Sequence, residues 1–212
     1  MSLGVQLTAT VLERGLQELL IVSVVSPVEF YLSKKENFLE ISSSISSLAN
    51  KVAETGDFVH PVIVGDLVLA LRNGKWNRAK IVATLPDNFF TVHLFDLAET
   101  AEVELNDLCK ATRDLMEFPV LVTKCALHSF QGREKEADKV KEKMKSLMRV
   151  YETVQVEVRD AEDGLTMVRL PDVERKLTET EVNLTSPSSS RQELIRKLKL
   201  KRGQHQPSNI EN

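Results

Sequence analysis

Asp96 and Glu99 offer two carboxylates close together in the chain, and a carboxylate forms short, charge-assisted hydrogen bonds with a guanidinium. A lone acid near a strand rim also serves a turn or pairs internally, here with Arg78, so both roles of Asp96 stay open. Other chemistry has no carrier. His60, His93, His128 and His205 are scattered, and neither Cys109 nor Cys125 lies in a recognisable Cys–His arrangement. Two cysteines are too few for a disulfide framework or a zinc site, so buried, reduced thiols of an intracellular protein are expected. Metal-assisted phosphodiester cleavage needs clustered carboxylates with an arginine, and no such constellation appears. No glycine-rich phosphate cradle can be found among the eight glycines. The expectation is a binding protein without catalysis, cofactor or metal.

The acids must be positioned by the stretch 64–108. Leu67, Leu69 and Leu71 alternate with other residues, Asn73-Gly74 suits the positive φ of a tight hairpin, and a second run follows through Trp76, Ala79, Ile81 and Ala83. Pro86-Asp87-Asn88 breaks the chain again before Phe90, Val92, Leu94 and Asp96, and a short run through Val103 and Leu105 closes the stretch. So many short strands in roughly 45 residues favour closure into a small bent barrel over a flat sheet.

The spaced set Gly65, Asp66, Val68, Ala70, Asn73, Gly74, Trp76, Arg78, Ala79, Val92 and Asp96 resembles a Tudor domain. Val24, Ser26, Pro27, Glu29, Phe30 and Tyr31 are similar to the opening signature of extended Tudor domains, and Val182, Asn183 and Leu184 resemble their closing segment. The resemblance implies a mostly β, α+β fold: a Tudor (SH3-like) barrel inserted into a split, staphylococcal-nuclease-like OB-fold module with two amphipathic helices. It also implies a site. Such domains bind symmetrically dimethylated arginine in a box of aromatic rings, where cation–π attraction favours the enlarged, still charged guanidinium. Carried over by position, the cage falls on Leu71, Asn77, Leu94 and Leu97, and the asparagine that usually assists it falls on Glu99. None is aromatic. Each cation–π contact contributes roughly 0.5 to 2 kcal/mol, so most of the preference for methylarginine is expected to be gone. These positions then form either an aliphatic, carboxylate-edged peptide site, with Asp96 as a guanidinium partner, or closed barrel core. Trp76 reads as a packing residue.

Around the insert, Val5, Leu7, Ala9 and Val11 alternate and pair in expectation with an extended run over 19–25, turned by Glu13-Arg14-Gly15. Phe38, Ile41, Ile45, Leu48 and Val52 follow at helical spacing, with Asn37 as N-cap, Gly56 near the stop, and the serines of 42–47 on a solvated face. A buried strand over 120–130 contains Cys125. A helix over 134–150 turns Ala137, Val140, Met144, Leu147 and Met148 inward, and β-runs over 153–158 and 166–170 are joined at 160–164. The expected division is therefore 1–63 and 113–184 for the split module, with a linker helix at 37–54, 64–112 for the Tudor barrel, and 185–212 for a flexible tail. Within that tail, 186–190 is serine-rich linker and 191–202 is strongly basic, suiting RNA, an acidic partner or merely solvent.

The whole chain has 28 Lys+Arg against 31 Asp+Glu, a net charge of -3, so no global basic signature nominates nucleic acid. The apolar run over 19–25 is far short of a membrane span. By resemblance, the protein is expected to be a scaffold module of the germline piRNA pathway, placed in cytoplasmic, perinuclear granules. Its partner would be an Argonaute/PIWI-type N-terminal arm, read through unmethylated arginine. The alternatives are RNA binding aided by 191–202 and a homo-oligomeric, self-associating platform.

Overall fold

The computed structural model describes residues 7–55, 61–162 and 164–185. Val5, Gly56, His60, His205, the serine-rich linker and the basic stretch lie outside the described residues. In chain order the elements are β1 (Gly15–Ser26), β2 (Glu29–Ser33), α1 (Lys35–Glu54), β3 (Leu67–Arg72), β4 (Lys75–Thr84), β5 (Phe89–Leu94), β6 (Glu99–Glu104), β7 (Leu108–Lys110), α2 (Arg113–Glu117), β8 (Thr123–Leu127), α3 (Glu134–Leu147), β9 (Thr153–Glu162), β10 (Leu165–Arg169) and α4 (Pro171–Thr185).

Five strands close a barrel in the order β1-β2-β8-β10-β9, with β8 and β10 parallel and the other pairs antiparallel. Alternation decides what fills it. Phe30 and Leu32 of β2 point inward with Leu19, Cys125, Leu127, Val156 and Val168, and α3 adds Ala137, Val140 and Met144. Fully burying each large apolar side chain stabilises the fold by roughly 1.5–3 kcal/mol. A second sheet, ordered β6-β5-β4-β3-β7, is inserted between β2 and β8 and bends around its own core of Val68, Ala70, Ala79, Ile81, Val92, Leu94 and Leu108. Its ladder has β6 and β7 as edges, so the closed barrel of the fold is the split module.

A third apolar cluster joins the two. Leu20 and Val22 of β1, Phe38, Ile45 and Ala49 of α1, Leu69, Phe95 and Cys109 of the inserted sheet, and Leu115 and Met116 of α2 share one core. The helix stripe read from the sequence is thus the seam between the modules. Ser43, Ser44 and Ser47 stay exposed, and the Ser44 hydroxyl donates to the Glu40 carbonyl at 3.1 Å.

Several expectations need correction. The alternating residues at 7–11 form no strand; that segment is stitched to the approach to β8 instead. The Val120 N–H donates to the Thr8 carbonyl at 2.8 Å, the Thr123 hydroxyl to the Thr10 carbonyl at 2.8 Å, and the Thr10 hydroxyl to the Val120 carbonyl. The opening hairpin is β1 with β2, turned at Pro27-Val28. Asn37 sits inside the first turn of α1, whose N-cap is Lys34, without a side-chain cap bond. Two helices are not anticipated by the sequence. α2 is five residues long, and α4 covers 171–185, so the closing segment at 182–184 is helical. Pro171 at the first helical position, where its missing N–H costs nothing, is the signal that marks α4.

Candidate functional site

The β3–β4 hairpin pairs Leu71 with Trp76 and Arg72 with Lys75, leaving Asn73 and Gly74 at φ 51° and 73° as a two-residue turn. Both central residues at positive φ match the twist of the strands they join. At the same end of the sheet, β5 runs into β6 through a turn in which the Leu97 N–H donates to the Leu94 carbonyl at 3.1 Å and Ala98 takes φ 50°. Arg72, which the sequence reading passes over, connects the two tips: its Nη2 lies 3.9 Å from Glu99 Oε1. A guanidinium next to a carboxylate is legible in type, but only the register brings Arg72 across to Glu99.

Leu71, Asn77 and Leu97 are half-buried and Glu99 is exposed, and the register places all four near the same end of the sheet, with Leu71 and Asn77 on opposite faces of their hairpin. Asn77 turns its Nδ2 back to the Lys75 carbonyl at 2.8 Å. Leu97 packs against both the shared core and the core of the inserted sheet. Leu94 does not belong with them. It is 0% exposed and faces inward with Phe90 and Val92, as period-two alternation along β5 requires. Trp76, half-buried against the shared core, packs as expected.

Asp96 is likewise withdrawn from any ligand, because an internal guanidinium already occupies it. Arg78, 1% exposed, directs all five of its N–H donors to protein acceptors. Nε and Nη2 grip the Asp96 carboxylate at 2.8 and 2.7 Å; Nη1 donates to the carbonyls of Leu115 and Phe118 at 2.9 and 2.7 Å; Nη2 also reaches the Pro119 carbonyl at 2.8 Å. Asp96 Oδ1 further accepts the Leu121 N–H at 3.1 Å, and the Phe95 ring lies 5.1 Å from the Arg78 guanidinium carbon. The pair ties the inserted sheet to the segment that leads into β8. It also holds the turn carrying Leu97 and Glu99, one to three residues along the chain.

Two further groups are tuned by their surroundings. His93, half-buried on β5 and paired across the strands with Lys80, has its pKa lowered by burial first and by the lysine charge second, so the imidazole favours the neutral form. Tyr31 stands on the outer face of the split barrel, packs against the shared core and donates to Glu29 Oε1 at 2.8 Å. Burial, then that hydrogen bond and the glutamate charge, push its phenol up to about 12. Lys124 Nζ lies 3.3 Å from the same carboxylate oxygen. Cys125 lies in the barrel core, where burial pushes its thiol up to about 12, which fits an inert packing residue. Among the described residues no group of three His, Cys, Asp or Glu side chains could hold a metal ion, and no helix is long and apolar enough to cross a membrane.

A family model described as Tudor domain matches residues 16–129. Mouse RING finger protein 17 is 28% identical over 123 residues, which are 56% of this chain but 8% of that protein. The chain therefore spans a small part of that relative. Among solved structures, extended Tudor domain TD3 of mouse TDRD1, bound to a MILI peptide containing dimethylarginine, matches with a TM-score of 0.65 and 20% identity over 77% of this chain and 86% of that one. The extended Tudor domain of human TDRD1, in complex with a symmetrically dimethylated peptide, matches with a TM-score of 0.63 and 20% identity over 77% and 83% of the two chains. At these identities the likeness establishes the fold.

Proposed function

This chain belongs to the Tudor domain family, and we propose that it is a non-catalytic peptide-binding module that takes an arginine-bearing segment without requiring dimethylation. One observation carries the reading. Of the motif positions at the accessible end of the inserted sheet, Leu71, Asn77, Leu97 and Glu99, none is aromatic, and the neighbouring Trp76 packs against the shared core. A methylated guanidinium gains roughly 0.5–2 kcal/mol from each aromatic face it meets, and none of these four positions supplies one. An unmodified guanidinium gains from the exposed Glu99 carboxylate and keeps every N–H donor with which to reach it. Arg72 at 3.9 Å is a loose, exposed competitor that a bidentate ligand displaces at little cost.

The MILI peptide held by the similar TD3 domain of mouse TDRD1 supports a PIWI-type arm as the partner. On that reading the chain is a scaffold module of the germline piRNA pathway, working in cytoplasmic granules. The test is calorimetric titration with matched arginine-bearing peptides from Argonaute-type N-terminal arms, one unmethylated and one symmetrically dimethylated. The expected dissociation constants agree within about threefold, and Glu99→Ala weakens both. Tighter binding of the dimethylated peptide by roughly tenfold, about 1.4 kcal/mol, sinks the proposal.

A further inference from the structure

The carboxyl ends of the parallel strands β8 and β10 lie side by side on the split barrel, with Val168 opposite Leu127. β8 leads into a short 3-10 turn, His128–Phe130, and β10 into α4. Between them is a depression of about 360 Å³ lined by His128, Ser129, Arg133, Arg169, Glu174 and Arg175 among others. Three guanidiniums in so small a volume mark it out from the rest of a chain whose charge is nearly balanced.

Their partners differ in a way that decides what the depression can hold. Arg169 is bracketed by Glu157 at 3.9 Å and Glu174 at 3.7 Å. Glu174, 12% exposed at its side chain, accepts from the Ser129 hydroxyl through Oε1, while its buried Oε2 has no hydrogen-bond donor among the described residues. This carboxylate holds Arg169 in place. Among the described residues Arg175 meets only the exposed Asp172, at 3.1 Å, a one-turn pair of small worth. Arg133 has no carboxylate within 4 Å among the described residues. It donates to the Ser129 carbonyl at 3.3 Å and lies 5.6 Å over the Phe130 ring, which keeps the guanidinium flat and in place. Arg133 and Arg175 therefore present two exposed, weakly committed cations at the rim of one depression.

We infer that this depression is a binding site for the sugar–phosphate backbone of single-stranded RNA, distinct from the peptide end of the inserted sheet. One observation fixes where a strand would lie, and a second favours RNA over another anion. The face of β2 and β8 through which OB-type barrels bind oligonucleotides is occupied here, because Tyr31 packs there into the shared core. A strand that binds this barrel must therefore approach elsewhere, and this depression is an arginine-lined opening on it. The second observation is continuity along the chain. α4 lines the depression with its first turns and ends at Thr185, and Arg191, Arg196, Lys197, Lys199, Lys201 and Arg202 follow a short linker in the sequence. A single phosphate has no use for so many cations along one chain, whereas a strand carries a phosphate at every nucleotide.

The test is fluorescence anisotropy of a labelled oligouridine of about 12 nucleotides with the full chain, at roughly 50 and 200 mM salt. Two variants accompany it: Arg133→Glu/Arg175→Glu, and a second in which the six basic residues of 191–202 become glutamine. The expected result is salt-sensitive binding that the double arginine variant weakens by roughly tenfold or more with the basic stretch intact. Both arginines are exposed, and an unchanged circular dichroism spectrum and melting temperature confirm that the variant is folded. Binding that depends on 191–202 alone, or no binding of RNA, overturns the assignment. So does tighter capture of a phosphoserine peptide that the same double variant abolishes, since that makes the depression a phosphopeptide site.

Discussion

Arg78 carries a full charge into the interior, and the energetics of that choice are asymmetric. Transfer of a guanidinium out of water is costly, and it is offset here only because all five donors meet acceptors and the carboxylate neutralises the charge. Removing one member leaves the other buried and uncompensated. Arg78→Met is expected to destabilise the fold by roughly 3–5 kcal/mol in urea denaturation, with much of the loss recovered in the Arg78→Met/Asp96→Asn double variant. A cost below about 1 kcal/mol for the single variant contradicts the geometry. Tyr31 makes a second residue-level prediction. Its native phenol titrates at about 12, above the ordinary value of 10.0, so the folded state retains the proton over that interval and the unfolded state does not. The stabilisation is fully present below pH 10.0 and is lost as pH rises toward 12. Tyrosinate absorbance measured on the wild type and Tyr31→Phe checks this, and the pH slope of stability above 10.0 should flatten in the variant.

At the scale of elements, α4 is the least anticipated and among the most consequential. Val173 and Leu177 enter the barrel core from one face of it, and Leu177 is fully buried. Leu177→Ala is expected to cost about 2–5 kcal/mol in thermal or urea unfolding, whereas a helix that merely leans on the barrel would give well under about 1 kcal/mol. α4 escapes a reading of the sequence because its polar residues outnumber its apolar ones, and a four-residue spacing of two side chains is weak periodicity unless Pro171 is taken as a start. The hairpins are legible because their signals are local: Asn73-Gly74 sets its own φ values, and each strand shows its alternation. The candidate site is legible only in part. Alternation along β5 puts Leu94 on the inner face with Phe90 and Val92, and a motif carried over by position overrides that evidence. Of the partners of Arg78, Asp96 is open to a reading of the sequence as one of two roles, but the three backbone carbonyls at 115–119 are not, since residue type does not encode where a carbonyl points.

At the scale of the molecule, the two modules are chemically one. Leu69, Phe95 and Cys109 of the inserted sheet complete a core whose other members belong to α1, β1 and α2. Cut free, the sheet exposes that apolar surface and leaves the Arg78 guanidinium without its three carbonyls. A fragment of residues 64–112 is therefore expected to show poor amide dispersion by NMR and no cooperative melt, while 7–185 shows both. A dispersed spectrum from the short fragment would mean that the seam is ornamental.

The Arg78 clamp also bears on how such a domain is inherited. A recombination break at the carboxyl edge of the inserted sheet parts the Arg78 guanidinium from the carbonyls that accept from it, and a break at the amino edge parts Leu69, Phe95 and Cys109 from the β1 and α1 side chains of the shared core. The heritable cassette is the sheet together with both halves of the barrel around it. Duplication can copy that cassette whole, and afterwards the accessible tip at Leu71, Asn77 and Glu99 is free to diverge in what it reads, because none of the three side chains belongs to the cores or the clamp that hold the cassette together.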